Sequence, residues 1–203
     1  MNSMKQSGSF FVWAVFLVLV ALSSGFTALS DHAKRRASST PISSDSLVYP
    51  APPPSDKLLF YVQRTPNTNT IVYELNTEKD GTPKKDNPIH IYWIRYTEGG
   101  EKVELNYVQR TFAYGLHHKL LDETKHTYKL NFVSYGKKDI HLARSSHDKR
   151  YHAYLQIGHK NIELSRIYVQ IEGGSFWLPK VPYIEVQGRD AATGQYVKEK
   201  IHP

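Results

Sequence analysis

The 203-residue chain contains no cysteine. Disulfides, zinc-thiolate sites, cysteine nucleophiles and a lipid-modified cysteine behind a leader are therefore excluded. An oxidising compartment is not, because a domain of this size needs no disulfide staples. Other absences narrow the chemistry further. There is no Gly-x-Ser-x-Gly elbow, no Gly-rich phosphate loop and no Ser/Lys pair at catalytic spacing. No cofactor is expected. No charge of one sign dominates either. Of 26 basic and 19 acidic residues, four and two precede Ser55, which leaves +5 on the remainder with both signs interspersed. That pattern is a solvated mixed surface rather than a polyanion-binding face. No nucleic-acid motif is present, such as stacked aromatics on a Gly-marked strand.

The chain does have one long apolar run. Phe10 to Leu22 holds thirteen apolar residues, preceded by Lys5 and followed by Ser23, Ser24 and Gly25. This is the order of a secretory signal. Thirteen residues rise only about 20 Å as a helix, against about 30 Å of hydrocarbon. A cleaved signal, cut after Gly25 or after Ser30, follows from that shortfall. Phe26, Ala28 and Leu29 extend the run, and Lys34, Arg35 and Arg36 place positive charge behind it. An uncleaved anchor over residues 10–29, a possible membrane tether, therefore stays open. Residues 1–30 are read as signal or anchor and 31–57 as a Ser/Pro-rich linker. The linker ends in Tyr49-Pro50-Ala51-Pro52-Pro53-Pro54, a semi-rigid polyproline spacer.

Residues 58–203 read as a single mainly β domain, an antiparallel sandwich or barrel-like sheet with one short helix. Leu58–Thr65 and Thr70–Asn76 flank a turn at Pro66-Asn67-Thr68-Asn69 and form a hairpin. Ile89–Tyr96 is nearly all apolar and is expected to be a central strand. Asn106 and Gln109 form a capping box at the start of a helix over about 107–114. Leu105, Val108 and Phe112 recur there at helical spacing, and Gly115 ends it. Strands follow at Leu116–Leu121, His126–Tyr135, Ile140–Arg144, Tyr151–Ile157, Ile162–Ile171, Tyr183–Gln187 and Tyr196–Ile201, with a turn at 136–139 among those between them. Tyr61-Val62-Gln63-Arg64-Thr65 recurs as Tyr107-Val108-Gln109-Arg110-Thr111. That repeat is either coincidence or the trace of a duplication with paired Gln-Arg sites.

Candidate chemistry is sparse. The ten His are scattered, and His117 and His118 would point to opposite faces of a strand. No metal site is expected. Lys137, Lys138, Arg144, Lys149 and Arg150 make a charged hairpin diluted by Asp139 and Asp148. Glu74, Glu172 and Glu185 stand in apolar strand contexts, where a carboxylate needs a partner such as Arg64, Arg95 or Arg110. Facing a cleft, two of them would be acid/base candidates. In Gly173-Gly174-Ser175-Phe176-Trp177-Leu178-Pro179 the double glycine lets backbone approach closely, and Trp177 would stack on a sugar or plug the barrel. The expected ligand-binding residues are Gln63, Arg64, Asn67, Asn69, Arg95, Gln109, Arg110 and Trp177.

The segments FYVQRTPNTNTIVYELN (60–76), IHIYWIRY (89–96), LNYVQRTFAYG (105–115) and IEGGSFWLPKVPYIEV (171–186) together resemble a bacterial family defined as a domain of unknown function. It is represented mainly in Bacteroidota, and the resemblance spans about Leu58 to Ile201. It implies an exported protein and assigns no catalytic residue. The function expected is non-enzymatic binding of an envelope protein or glycan, without nucleic acid. The alternatives are a polysaccharide hydrolase using the strand carboxylates and a structural subunit assembling through its edge strands. For the leader, N-terminal sequencing of protein recovered from expressing cells should begin at Phe26 or Asp31. A mature chain beginning at Met1 would establish the anchor instead.

Overall fold

The structure, a computed structural model, describes residues 48–174 and 179–203. The leader, the linker up to residue 47 and Trp177 with its immediate neighbours lie outside the described residues. The eleven strands are β1 (Leu58–Arg64), β2 (Asn67–Leu75), β3 (Ile89–Arg95), β4 (Glu101–Glu104), β5 (Leu116–Asp122), β6 (Thr127–Phe132), β7 (Tyr135–Arg144), β8 (Tyr151–Ile157), β9 (Lys160–Gln170), β10 (Tyr183–Asp190) and β11 (Tyr196–Ile201). They form one curled sheet, a half-barrel, in the order β4-β3-β2-β1-β9-β8-β7-β6-β5, with β10 on the far side of β9 and β11 beyond it. Among the described residues no helix is long and apolar enough to cross a membrane.

Strand β9 organises the sheet. One of its edges carries β10 along most of its length, through Tyr183↔Gln170 to Asp190↔Ile162. The other edge is shared. Lys160–Glu163 pairs with β8, and Arg166–Val169 pairs with β1. Two antiparallel four-stranded leaves, β1–β4 and β5–β8, therefore hang end to end from one strand edge. They diverge and fold towards each other, and their inner faces make a single core. Phe60, Tyr73, Trp93, Leu130, Leu142 and Ile167 belong to it. Phe60 stacks on Tyr73 at 4.5 Å, and Phe132 packs edge-on to both. Burial on this scale is what offsets the chain entropy of so many non-local pairings.

A bend accompanies the divergence. The β9/β10 register shifts between Gln187 and Gly188, so Ser165 bulges between Leu164 and Arg166. A Cβ at Gly188 would collide with the Glu163 carbonyl oxygen and press on Ile162. Glycine is needed there for close approach of two backbones.

Several expectations are corrected. The sheet is not wholly antiparallel: β1 and β9 run parallel, whereas β8 on the same edge runs antiparallel. The first hairpin turn is tighter than the Pro66–Asn69 signal suggests. Thr65-Pro66 is cis, and Asn67 and Asn69 already belong to β2. The turn expected at 136–139 lies inside β7, and the reversal falls at 133–134. Those polar residues read as a turn because they line an exposed strand, tied down where Asn131 Nδ2 donates to Asp139 at 2.7 Å. Strand β4 was not expected; Glu101–Glu104 is short and mostly exposed. The proline run is not free of the sheet. Ala51 O accepts from Tyr96 Oη at 2.8 Å, Pro50 O accepts from Gln63 Nε2 at 2.7 Å, and Pro52 is buried.

The helix expected over 107–114 is there, and so is its capping box. Asn106 Oδ1 accepts from the Gln109 amide at 2.9 Å, and Gln109 Oε1 accepts from the Asn106 amide at 3.0 Å. Its winding differs: Gln109–Tyr114 is a π-helix. The wider turn rotates the buried face to Gln109, Ala113 and Tyr114, so Val108 and Phe112, expected inside, face solvent. Gly115 ends the turn for a different reason from the one expected. Its φ is −64°, not left-handed, and a Cβ would collide with the Arg110 carbonyl oxygen. The second copy of the Tyr-Val-Gln-Arg-Thr repeat is thus helical where the first is strand β1. Gly188→Ala should lower the unfolding free energy by about 3 kcal/mol in urea titration, because two backbones must separate; a loss below about 1 kcal/mol would show that the bend has slack.

Candidate functional site

Period-two alternation along β1 sends neighbouring residues to opposite faces. Gln63 faces outward and is fully engaged. Its Nε2 donates to Pro50 O and to Thr70 Oγ1, and its Oε1 accepts from Arg166 Nε at 2.7 Å. Arg64 faces inward. Its Nε donates to Tyr114 Oη at 3.0 Å, and the residue is 6% exposed. Tyr114 is held in turn by Trp93, edge-on at 4.9 Å, and by its carbonyl, which accepts from Tyr73 Oη at 2.8 Å. Burial pushes the Tyr114 hydroxyl up, and the adjacent Arg64 only partly opposes it.

The other expected site residues have local partners. Asn67 Oδ1 accepts from the Asn69 amide, and Asn69 Oδ1 accepts from Thr97 N and Oγ1, both at 3.0 Å. Arg95 pairs with Glu98 at 2.9 Å. Gln109 also accepts from Trp93 Nε1 at 3.3 Å, which ties the helical turn to β3. Arg110 reaches Glu104 at 3.6 Å and stays about half exposed. The Gln-Arg pairs therefore do not form one surface: Gln63 faces outward, Arg64 and Gln109 lie inside, and Arg110 stands at the mouth.

The three carboxylates are not brought together. Glu185 is buried against Gln187 at 2.6 Å and Lys198 at 3.0 Å. Burial there would raise its pKa, but Gln187, Lys198 and Arg166 outweigh it and hold the carboxyl down. Glu74 lies beside Tyr92, whose hydroxyl is driven up by burial and by that carboxylate. Glu74 and Glu185 stand on strands three steps apart, about 14 Å at ordinary strand spacing. Glu172 is exposed, four residues beyond the Glu185 register position on β9, or about 13 Å along the strand. Paired glycoside chemistry needs about 5–10 Å.

The chain order creates a seam. Strands β4 and β5 are consecutive in sequence yet lie at opposite ends of the curled sheet, so the helical turn crosses the mouth between them. Strand β4 pairs only with Tyr92–Arg95, which leaves Ile89–Ile91 facing β5 across a cleft of about 90 Å³. Buried Ile89 and Ile91 and half-buried Leu116 meet there under exposed Arg110 and His118. At its far end the seam is bridged by Lys85 and Glu123 at 2.6 Å. Beside it the turn presents Tyr107, Val108 and Phe112, which are 76%, 52% and 49% exposed.

A family model described as "Domain of unknown function (DUF4833)" matches residues 60–200. The chain belongs to this family. No curated protein and no solved structure matches the chain. The DUF4833 region covers both leaves, the helical turn and the seam.

One cluster in the DUF4833 domain was not read from sequence. His152 lies between two carboxylates, with Nε2 at 2.8 Å from Asp148 and Nδ1 at 3.0 Å from Glu163. The signal in the sequence is Asp148 four residues before His152 across a hairpin turn. Among the described residues no group of three or more His, Asp or Glu could hold a metal ion. Partial burial opposes ionisation of Asp148, but the Arg150 amide and the His152 ring prevail and hold it at about 2. A depressed carboxyl stabilises the fold fully above its unfolded value near 3.8 and loses that contribution as pH falls through about 2. The stability gap between the wild type and Asp148→Asn should therefore shrink as pH falls from about 4 towards 2. A gap independent of pH, measured by denaturant titration, would rule out an ionic role.

Proposed function

We propose that the chain is an exported bacterial envelope protein whose β domain binds a partner protein without performing chemistry on it. One observation carries the reading. Among the described residues six large apolar side chains are strongly exposed, and three of them, Tyr107, Val108 and Phe112, sit on the one helical turn that crosses the mouth. Apolar side chains gathered on one surface element mark an interaction site more than scattered ones do. The seam beside them adds a small apolar cleft under Arg110 and His118, the composition of a recognition site. The separation of Glu74, Glu172 and Glu185 supports binding over hydrolysis. Export rests on the leader, and the envelope location follows from it.

A photo-crosslinking residue placed at Phe112 in the full chain, activated in the cells that express it, should give a discrete adduct of defined mass. The same residue at Leu121, exposed on β5, serves as the control. Arg110→Glu should reduce the Phe112 adduct about tenfold while leaving circular dichroism unchanged. Equal, diffuse labelling at both positions would overturn the proposal.

A further inference from the structure

Arg64 poses an electrostatic problem that the partner surface does not use. Among the described residues it is the buried cation; the other buried polar or charged residues are Gln63, Asn69, Thr70, Gln109 and Glu185. Elsewhere, arginines are paired or wet. Arg95, Arg110, Arg150 and Arg166 each reach a carboxylate within 4.0 Å, and Arg144 and Arg189 lie towards solvent. Arg64 reaches no carboxylate among the described residues, and its one hydrogen bond runs from Nε to the neutral hydroxyl of Tyr114. An uncompensated guanidinium charge taken out of water is costly to the fold. Water could meet its hydrogen bonds but not its charge.

The geometry leaves the useful part of the group open. With Nε engaged, both Nη groups remain as a parallel pair of donors. They are not sealed, because the one fully enclosed side-chain polar atom without a partner among the described residues is Tyr49 Oη. Their position is fixed from several sides. Arg64 pairs with Val169 on β9 and Asn67 on β2, and the next residue, Thr65, is clamped to Ile171 by its Oγ1, which donates to the carbonyl at 3.0 Å and accepts from the amide at 2.6 Å. Tyr114 fixes the head group. This is a preorganised fork rather than a flexible surface arginine.

We propose that Arg64 is the recognition group of a binding site for a small organic monocarboxylate. Its two Nη groups donate to the two carboxylate oxygens, and Tyr114 holds the guanidinium in plane. A fork matches a planar carboxylate bidentately. The charge balance selects the same class: one cation neutralises one monoanion, whereas a phosphate dianion would bring a second, unmatched charge inside. Arg64 is not among the residues that line the seam, so this site and the partner surface can fail independently.

The full chain is titrated with sodium acetate against sodium chloride at equal ionic strength, with Tm as the readout, and in a second arm with sodium phosphate. Acetate should raise Tm saturably above chloride, and phosphate should not. Arg64→Met should lose the acetate-specific rise, and Arg64→Lys, which keeps the charge but not the fork, should shift the midpoint at least about tenfold. No difference between acetate and chloride in the wild type would overturn the site, and this comparison stands even if Arg64→Met fails to fold. A phosphate response equal to that of acetate would overturn the carboxylate assignment. A wild-type response in Arg64→Lys would remove Arg64 from it.

Discussion

The fold depends on one shared edge. Along a single side of β9, Lys160–Glu163 holds β8 and Arg166–Val169 holds β1. Two strands cannot occupy one edge end to end without a bend between them. The bulge at Ser165, admitted by Gly188, supplies that bend. Once it is in place, both leaves start from one strand and turn the same face inward, so Phe60, Leu142 and Ile167 reach one core although they are far apart in sequence. The parallel β1/β9 pairing joins residues about a hundred positions apart, and every pairing inside a leaf is local by comparison. The leaves are meanders that form from neighbours, whereas the shared edge must wait for the chain to close a long loop.

The same arrangement leaves the sheet open. Closing it would require β4 to meet β5, but only six turn residues, Gln109–Tyr114, and their short flanks join the two. The capping box and the Trp93–Gln109 bond hold that turn across the mouth. The π winding then settles which side chains go in. Gln109, Ala113 and Tyr114 fill the interior, and Tyr107, Val108 and Phe112 are left outside. An exposed ion pair such as Lys85–Glu123 is screened by water and contributes little, so the mouth is only lightly tied at the far end of the seam.

Much of the fold was legible because period two is a strong signal. Tyr151–Ile157 and Tyr196–Ile201 fall where alternation and turn residues place them, and the capping box found the helical turn. What failed was non-local. Nothing in the Lys160–Gln170 run says that its edge is shared, and nothing in Val108 or Phe112 says that the turn is wound too wide to bury them. The polar run at 136–139 looked like a turn because exposed strands and turns share a composition. At the candidate site, sequence supplied Arg64 and Arg110 as residues to watch but could not supply their faces. The Asp148–His152–Glu163 cluster needed the β7/β8 hairpin and the β8/β9 register before it existed at all.

Gln63 and Arg64 show how far two adjacent polar residues can diverge once alternation separates them. On the outer face, Gln63 uses both its donor and its acceptor, and the docked Pro50 carbonyl completes the set. Removing any one partner there would leave a buried group unsatisfied, so the residue is explained by stability alone. On the inner face, Arg64 has one partner for five donors and no opposite charge among the described residues. A hydrophobic residue of similar length would satisfy the packing at lower electrostatic cost, since buried charges replaced by apolar side chains are often neutral or stabilising. Stability therefore accounts for Gln63 and leaves Arg64 over, and a group that a fold tolerates without structural return is where binding is most economically sought.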